Sequence, residues 1–358
     1  MRSYRILLIA LATFIATRPL LLNAQDDNPF VPQKLLEIAD VLAEAVKDKG
    51  SPENTPLGII ANSVTPFWTA TQIGAVRAAN EIGAPVIFNA PIKPGDAQGQ
   101  SKLVKFLIDD GYKGIAISVI DPTSMDPIIR QGLDKNINII TTDSDAPDSG
   151  RRLYIGTNNY KAGYTAGKEL VRLLGPSGGR VVGLVGLLTA ENAIERIKGI
   201  KDAIQGTNVT LQEIMTDDID QVRALSNAES AIDKYPDLAA FIGIYAFDGP
   251  AAGQALRIAH KVGKIKVVAF DMSPDTIPLV RSGVISIAIV QRPYYWGYLG
   301  TYILEGMSVL GAQQTMDLLS PYLSGNKRDI LDTDVDIVTP ETLSQYLSSL
   351  DSIGIKSQ

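Results

Sequence analysis

The sequence predicts an α/β protein with two doubly wound parallel-sheet lobes joined by a three-segment hinge. Short apolar strands alternate with helix-length stretches from Leu57 to Gln291, and the alternation runs through two complete cycles. Strands that are apolar along their whole length are typical of parallel sheets covered by helices on both faces. The 358 residues, 45% of them hydrophobic and 20% charged, are enough for two domains of ordinary size.

The first cycle of strands reads LGIIANS, APVIFNA, GIAISVI and INIITTD. After RRLYIGT, the second cycle reads RVVGLVG, VTLQEIM, LAAFIGIYA, IKVVAFD and VISIAIVQ. A long helix and the strand-like VDIVTP follow, and we expect the chain to cross between the lobes near Thr157, Gln291 and Val335. The predicted segments are 57–157 plus 292–318 for lobe 1, 158–291 plus 319–335 for lobe 2 and the hinge crossings, and 336–358 for a C-terminal helix and tail.

Two segments precede the first strand. Residues 1–24 place Arg2 and Arg5 before a short apolar run, and Ala24 supplies a small residue for cleavage. This pattern predicts a cleaved secretory signal peptide, because the apolar run is too short for a membrane anchor. Residues 25–56 form an extension with one predicted helix. We expect that helix to pack on the main body; docking to a partner is the alternative.

The composition excludes several classes of function. A formal net charge of −6 lacks the basic surface that nucleic-acid binding requires. The chain has no cysteine, so disulfides, thiolate metal sites and a lipid-anchored form are excluded. The single histidine, His260, has no recognisable nucleophile with which it could form a hydrolytic triad. No third carboxylate or histidine stands at a useful spacing from Asp143 and Asp145 to complete a metal site. We therefore predict no enzyme activity, no cofactor and no metal.

Candidate ligand-binding residues follow the strands of both lobes. In open parallel sheets, ligands bind outside the carboxyl ends of the strands. Asp145 could contact a ligand or cap its turn. Trp68 could belong to the core, but its position after Pro66 at a strand end favours the cleft, whereas core packing is favoured for Tyr245 beside Phe247. Aspartate 248 is expected to be a helix N-cap. The complete candidate set is Asn62, Phe67, Trp68, Asp143, Asp145, Arg196, Phe247, Asp271 and Gln291.

Five stretches between Pro56 and Gly311 together resemble a known family. They are TPFWTATQIGAVRAANEIG, INIITTDSDAP, YIGTNNYKAGYTAGKEL, ENAIERIKGIKDAI and VVAFDMSPDTIPLVRSGVISIAIVQRPYYWGYLG, of which the third is similar to the family's first crossover into the second lobe. The chain is similar to the periplasmic sugar-binding receptors of ABC importers, the ribose-binding class of type I periplasmic binding proteins. The resemblance implies aromatic walls at Phe67 and Trp68. It also implies hydrogen-bonding groups for the ligand at Asp143, Arg196, Asp271 and Gln291.

The sequence departs from the ribose-binding pattern at several positions. Ser144 stands where ribose binders carry an arginine, and Ala61 and Thr65 replace a serine and an asparagine. A further asparagine of the family aligns near Phe247. Related receptors with a DSD pattern bind rhamnose or autoinducer-2. The resemblance therefore implies a monosaccharide, a polyol or a similar polyhydroxyl compound rather than ribose itself.

The residue types suit such a ligand. A carboxylate accepts two hydroxyl protons, a guanidinium donates to two oxygens in a fixed fork, and an aromatic face covers C–H groups. We expect a monomeric periplasmic receptor that captures the sugar by hinge closure and delivers it to an ABC permease in the inner membrane. The alternative is a sensory receptor of the same fold that signals to a chemoreceptor or a histidine kinase, and the site does not separate the two. The signal-like N-terminus and the lack of a helix-turn-helix segment argue strongly against a LacI-type regulator.

Overall fold

The computed structural model describes residues 28–49 and 55–356. The predicted signal peptide lies outside the described residues. The described chain builds two six-stranded sheets, and helices cover both faces of each, as the apolar strands predicted. Within these residues, no helix has both the length and the apolar character needed to cross a membrane.

The first sheet has the strand order β11-β5-β4-β3-β1-β2, and every neighbouring pair in it is parallel. Its central strands are wholly buried because they are apolar on both faces. The strand bounds are β1 (Leu57–Ile60), β2 (Val86–Asn89), β3 (Gly114–Ile117), β4 (Asn138–Thr142), β5 (Tyr154–Gly156) and β11 (Ile330–Asp332).

The second sheet repeats this architecture in the order β12-β10-β9-β8-β6-β7. Its pairs are parallel except for β12, which lies antiparallel to β10. The strand bounds are β6 (Gly179–Val185), β7 (Val209–Thr216), β8 (Leu238–Gly243), β9 (Lys266–Phe270), β10 (Ile287–Val290) and β12 (Asp336–Val338).

Four of the described α-helices begin at a polar side chain that accepts hydrogen bonds from free backbone N–H groups. Asp96, Asp121, Asn158 and Asp220 accept such bonds at the starts of α3, α4, α5 and α7. The helix bounds are α1 (Gln33–Val46), α2 (Thr69–Ile82), α3 (Ala97–Asp109), α4 (Pro122–Asp134), α5 (Asn159–Leu174), α6 (Glu191–Ile204), α7 (Gln221–Lys234), α8 (Asp248–Ile258), α9 (Thr276–Arg281), α10 (Pro293–Val309), α11 (Ala312–Leu319) and α12 (Leu343–Ser352).

The C-terminal region corrects the expected lobe boundaries. We assigned 319–335 to the second lobe and the hinge, but β11 pairs with β5 and so extends the first sheet. The third crossing follows β11, and β12 joins the second sheet beside β10. Residues 336–338 are therefore sheet strand rather than part of a tail. The sequence did not reveal β11 because its two apolar residues, Ile330 and Leu331, are flanked directly by Asp329 and Asp332 and form no longer apolar run.

Hydrogen bonds tie the three crossings together. Arg292 at the second crossing forms an ion pair with Asp336, with 2.6 Å between Nη2 and Oδ1. Its Nη1 also donates to the carbonyl of Thr333 on the third crossing at 3.0 Å. The backbone N–H of Asn158 on the first crossing donates to Asp332 Oδ1. The three crossings that form the hinge are thus linked to one another by hydrogen bonds.

The N-terminal extension contacts both lobes. Helix α1 buries Leu35, Ile38, Ala39 and Leu42 in the core of the first lobe, against α10. Three residues before α1, the ring of Phe30 packs edge-on against Tyr346 of the second lobe, with 5.5 Å between ring centroids. The predicted packing on the main body is therefore observed, and the segment also bridges the lobes.

Candidate functional site

Two aspartates occupy equivalent places in the two lobes. Asp143 follows β4 and Asp271 follows β9, and each of these strands is third in its sheet. Both residues adopt left-handed backbone conformations, with φ of 60° and 65°. Such a conformation costs energy in a residue other than glycine and is concentrated at functional sites. The fold therefore points two constrained carboxyl groups towards the space between the lobes.

The carboxylate of Asp143 receives hydrogen bonds from three side chains. Ser118 Oγ donates to Oδ2 at 2.9 Å, and Asn62 Nδ2 donates to the same oxygen at 3.3 Å. Asn192 Nδ2 donates to Oδ1 at 3.4 Å from helix α6 of the second lobe. Burial raises the pKa of Asp143, while Arg196, Ser118 and Asn192 act in the opposite direction. The bond from Asn192 shows that the lobes meet directly at Asp143.

Gln291 is the partner of Asp271. The Gln291 Nε2 atom lies 3.2 and 3.1 Å from the two carboxylate oxygens, and its backbone N–H donates to Oδ1 at 3.2 Å. Burial raises the pKa of Asp271 to about 6, although Arg196 and Gln291 lower it. The amide oxygen of Gln291 is buried and has no hydrogen-bond partner within the protein.

Arg196 is the buried cation of the site. Its side chain is 2% exposed, and α6 places Asn192 one helical turn before it. Arg196 Nε donates to Asn159 Oδ1 at 2.9 Å, and Nη1 donates to the carbonyl of Ile244 at 2.9 Å. The guanidinium lies over the ring of Phe270 at 4.5 Å. These contacts fix the plane of the fork and leave Nη2 buried without a partner in the protein.

The predicted aromatic residues of the first lobe belong largely to its core. Trp68 is 3% exposed and lies 6.2 Å from Trp296, while the half-buried Phe67 packs edge-on against Trp68. The indole N–H of Trp68 donates to Asn62 Oδ1 at 3.0 Å. Trp68 therefore orients Asn62, which in turn donates to Asp143. Trp296 itself is 1% exposed and lies in the core of the first lobe.

In the second lobe, the half-buried Phe247 packs edge-on against Tyr245 at 6.2 Å. The Tyr245 hydroxyl donates to Asn192 Oδ1 at 3.4 Å, which links this pair of rings to the polar cluster. Asp248 is not the N-cap that the sequence predicted. It is the first residue of α8, and its carboxyl group faces back towards the preceding turn.

The structure favours the turn-capping alternative for Asp145. Its two carboxylate oxygens accept from Arg151 Nε and Nη2 at 2.7 and 2.6 Å. Oδ1 also accepts from Thr141 and from the backbone N–H of Ala146. With both oxygens engaged by the buried Arg151, Asp145 organises the loop after β4. We therefore withdraw it from the candidate ligand-binding set.

Three residues of the polar cluster were missing from the sequence prediction. Ser118 directly follows β3, so it could have been found in the same way as the candidates at the ends of other strands. Asn192 lies four residues before Arg196 and therefore on the same face of α6, so this spacing could have identified it. Asn159 holds Arg196 Nε and also donates to the carbonyl of Asp143 at 3.3 Å. No pattern in the sequence indicated that role, because it depends on the position of the first crossing.

The described conformation is closed. Asp143, Asp271, Arg196 and Gln291 are each no more than 4% exposed, and they come from both sides of the interface between the lobes. Burial in a water-poor cluster strengthens each charge-assisted bond but makes unpaired polar atoms costly. Arg196 Nη2 and Gln291 Oε1 are such atoms. In the described residues, no group of three or more histidine, aspartate or glutamate side chains is arranged to hold a metal ion.

Two sheets, three crossings and a buried polar cluster between the lobes define a two-lobed ligand-binding protein of the type I periplasmic class. A model of the periplasmic binding protein domain matches residues 58–309, and the chain belongs to this family.

Several known proteins are similar to this chain. The ribose import binding protein RbsB of Haemophilus influenzae is 27% identical over 283 residues, which cover 76% of this chain and 94% of the relative. The D-allose-binding periplasmic protein of Escherichia coli is 26% identical over 250 residues, covering 67% and 79%. The crystal structure of an ABC transporter solute binding protein from Burkholderia graminis in complex with D-arabinose has a TM-score of 0.74 and 30% identity, covering 83% and 99%.

Proposed function

We propose that this protein is the sugar-binding receptor of an ABC importer and that its ligand is a monosaccharide or a similar polyhydroxyl compound. One observation carries the proposal. Arg196 lies beside two buried aspartates from different lobes, with Nη2 and the neighbouring Gln291 Oε1 unpaired by protein groups. A ligand that both donates and accepts hydrogen bonds would satisfy this set.

A sugar has that chemistry. Each hydroxyl group both donates and accepts, so neighbouring hydroxyls can donate to the two aspartates and accept from Arg196 Nη2. A hydrogen bond to a charged group contributes about 1.5–3 kcal/mol. A site built from such groups rejects an analogue that lacks one hydroxyl, because a buried charge is then left unpaired. Selection among sugars therefore depends on the positions of their hydroxyls.

Hinge closure is the proposed mechanism of capture. The first lobe supplies Asp143 and the second supplies Arg196, Asp271 and Gln291. A ligand that contacts both sets binds the closed form more tightly than the open form and shifts the population towards closure. The permease then recognises the closed form. The linked crossings provide the pivot for this rigid-body motion.

The relatives support transport rather than catalysis. Curated relatives are named as ribose import, allose-binding and xylose/arabinose-binding proteins. The sensory alternative is not favoured by these names. We propose that the chain has no enzymatic activity, that it acts as a monomer, and that it reaches the periplasm after removal of residues 1–24. The mature N-terminus is then Gln25, and N-terminal sequencing of the protein from a periplasmic extract tests that position.

A thermal-shift screen tests ligand binding. The mature protein is heated with D-ribose, D-allose, D-arabinose, D-xylose, D-galactose and a set of linear polyols. A ligand at about 100 times its Kd stabilises the folded state by about 2.7 kcal/mol, so the binding sugar should raise the Tm. The Arg196→Ala variant is the control and should show no shift with that sugar. The proposal fails if no sugar or polyol shifts the Tm of the wild type.

A further inference from the structure

Two buried carboxyl groups lie behind Arg196 and belong to no part of the proposed ligand site. Asp217 directly follows β7, and Asp248 begins α8 just after β8. Both side chains are completely buried, and they hydrogen-bond to each other. Two carboxylates cannot share a hydrogen bond unless one of them carries a proton.

The hydrogen bonds leave one oxygen of each carboxyl group for the contact between them. Asp248 Oδ2 accepts from the backbone N–H groups of Tyr245 and Ile244, at 2.8 and 3.2 Å. Asp217 Oδ1 accepts from the N–H of Ile219 at 3.0 Å. Asp248 Oδ1 and Asp217 Oδ2 are buried, and no donor group of the described residues reaches either of them. A proton shared between these two oxygens would satisfy both.

The pKa values of both groups are raised, but to different extents. Burial and the charge of Asp217 raise the pKa of Asp248 well above its usual range, although the backbone N–H groups of Tyr245 and Ile244 lower it. Burial raises the pKa of Asp217 only to about 6, with the bond from Asp248 opposing it. The exposed Arg223, which pairs with Asp218, also lowers the pKa of Asp217.

The turn held by Asp248 leads directly to the ligand site. Ile244 presents its carbonyl to Arg196 Nη1 at 2.9 Å, and Tyr245 extends its hydroxyl to Asn192. Asp248 approaches this turn closely because residue 243 is glycine. A Cβ there would lie 2.8 Å from the Asp248 Cβ. Displacement of the turn would therefore move a hydrogen-bond acceptor of Arg196 and the phenol that contacts Asn192.

We propose that Asp248 and Asp217 form a proton-sharing pair that positions Arg196 and Asn192 for the ligand. This inference rests on the proposed function for its effect on binding but not for the shared proton. Asp248 and Asp217 are positioning residues, since neither contacts the ligand space directly. The role requires the shape and hydrogen bonds of Asp248 but not a negative charge.

The first experiment needs no ligand. Infrared spectra of the wild type and of Asp248→Asn are compared near neutral pH. Asp271 and Glu305 are buried and have pKa values raised to about 6 and about 7, so they also contribute to the C=O stretch of protonated carboxyl groups. The spectrum of the variant is therefore subtracted from that of the wild type, and the difference should show a protonated-carboxyl band that only the wild type has. The matched control is Asp218→Asn, which changes an exposed carboxyl on the same turn and should keep the band. A wild type without this band contradicts the shared proton.

The second experiment measures the Kd of the sugar identified by the thermal-shift screen. Asparagine can accept from the turn through Oδ1 and donate to Asp217 through Nδ2, so Asp248→Asn should bind within about threefold of the wild type. Asp248→Ala leaves the turn and Asp217 without partners and should bind roughly tenfold more weakly or worse. Circular dichroism verifies that each variant is folded.

The outcomes separate the possible failures. Equal weakening in Asp248→Asn and Asp248→Ala would show that a charged Asp248 is needed, and wild-type affinity in Asp248→Ala would remove the positioning role. If Asp248→Ala does not fold, the comparison of Asp248→Asn with Asp218→Asn still tests whether the charge of Asp248 is needed. If the wild type binds no sugar, the proposed function fails, while the infrared result still decides whether the pair shares a proton.

Discussion

Asp143 and Asp271 have the same backbone position in the two lobes but different surroundings. Asp143 receives side-chain bonds from Ser118, Asn62 and Asn192, and the last of these crosses from the other lobe. Asp271 is held only by Gln291 of its own lobe. The repeated fold thus places both carboxyl groups, but neighbouring side chains give them different roles. Asp143 is coupled to closure, whereas Asp271 keeps more capacity for the ligand.

Among the substitutions, Arg196→Ala is expected to have the largest effect on sugar affinity. Replacement of Arg196 by alanine removes the forked donor and leaves two buried carboxyl groups without their nearby positive charge. We expect sugar affinity to fall by more than about a hundredfold, as measured by calorimetry. Arg223→Ala removes an exposed arginine of the same lobe and should bind normally. Unchanged affinity in Arg196→Ala would show that the site is assigned wrongly.

Alanine substitutions at the two aspartates test the comparison directly. Both should weaken sugar binding by at least about tenfold, because each removes an acceptor for hydroxyl groups. The two variants should differ in their free energy of unfolding. Asp143→Ala leaves three side-chain donors unpaired, at roughly 1–3 kcal/mol for each buried group, whereas Asp271→Ala leaves only Gln291. Urea unfolding of the ligand-free variants should rank Asp143→Ala as less stable, and the reverse order would contradict the comparison.

A change of pH should affect Asp271 in two opposite ways. Its folded pKa of about 6 lies above that of an unfolded aspartate. Its contribution to the stability of the ligand-free protein is therefore present at low pH and is lost as pH rises through about 6. Sugar hydroxyls donate to the ionised form, so affinity should increase over the same range. Calorimetry from about pH 5 to pH 8 should show this increase in the wild type and a flatter profile in Asp271→Asn.

The smallest effect on affinity is expected at Asp145. Asp145→Ala should bind sugar as the wild type does, because the carboxylate is engaged by Arg151. Stability should fall by about 1–3 kcal/mol, since two donors of a buried guanidinium lose their acceptor. Asp329 still pairs with Arg151 at 2.7 Å and limits the loss. A clear loss of affinity, measured beside the wild type at equal temperature and salt, would return Asp145 to the ligand site.

Much of the fold was predictable because apolar strands and intervening helices leave a strong periodic pattern. Eleven of the twelve described strands correspond to runs recognised in the sequence, and β11 is the exception. Helix α5 was interpreted only as a crossover segment, and the eight-residue α11 was not predicted. These short or glycine-containing elements depend on packing more than on their own pattern.

Residues of the candidate site could be predicted where a single rule applied to each of them separately: in parallel sheets, ligands bind beyond the carboxyl ends of the strands. Strand ends gave Asp143, Asp271 and Gln291 and led to Arg196 on the following helix, and the family resemblance implied the same four residues. The rule left Asp145 open between ligand contact and turn capping, because its partner Arg151 has no recognisable spacing signal. It failed for Asn159, whose role depends on how the first crossing brings α5 beside Asp143. Pairwise contacts of this kind are not encoded in local periodicity.

The sequence by itself determined two α/β lobes, the strand ends that carry the candidate residues and the absence of cysteine chemistry. Hydrophobic periodicity and residue type suffice for these features, since they are local. Only the tertiary structure decided that β11 belongs to the first sheet, that Phe30 bridges to the second lobe and that Asp248 pairs with Asp217. Each of these depends on groups distant in sequence that meet in a low-dielectric interior, where burial decides which polar atoms must be paired.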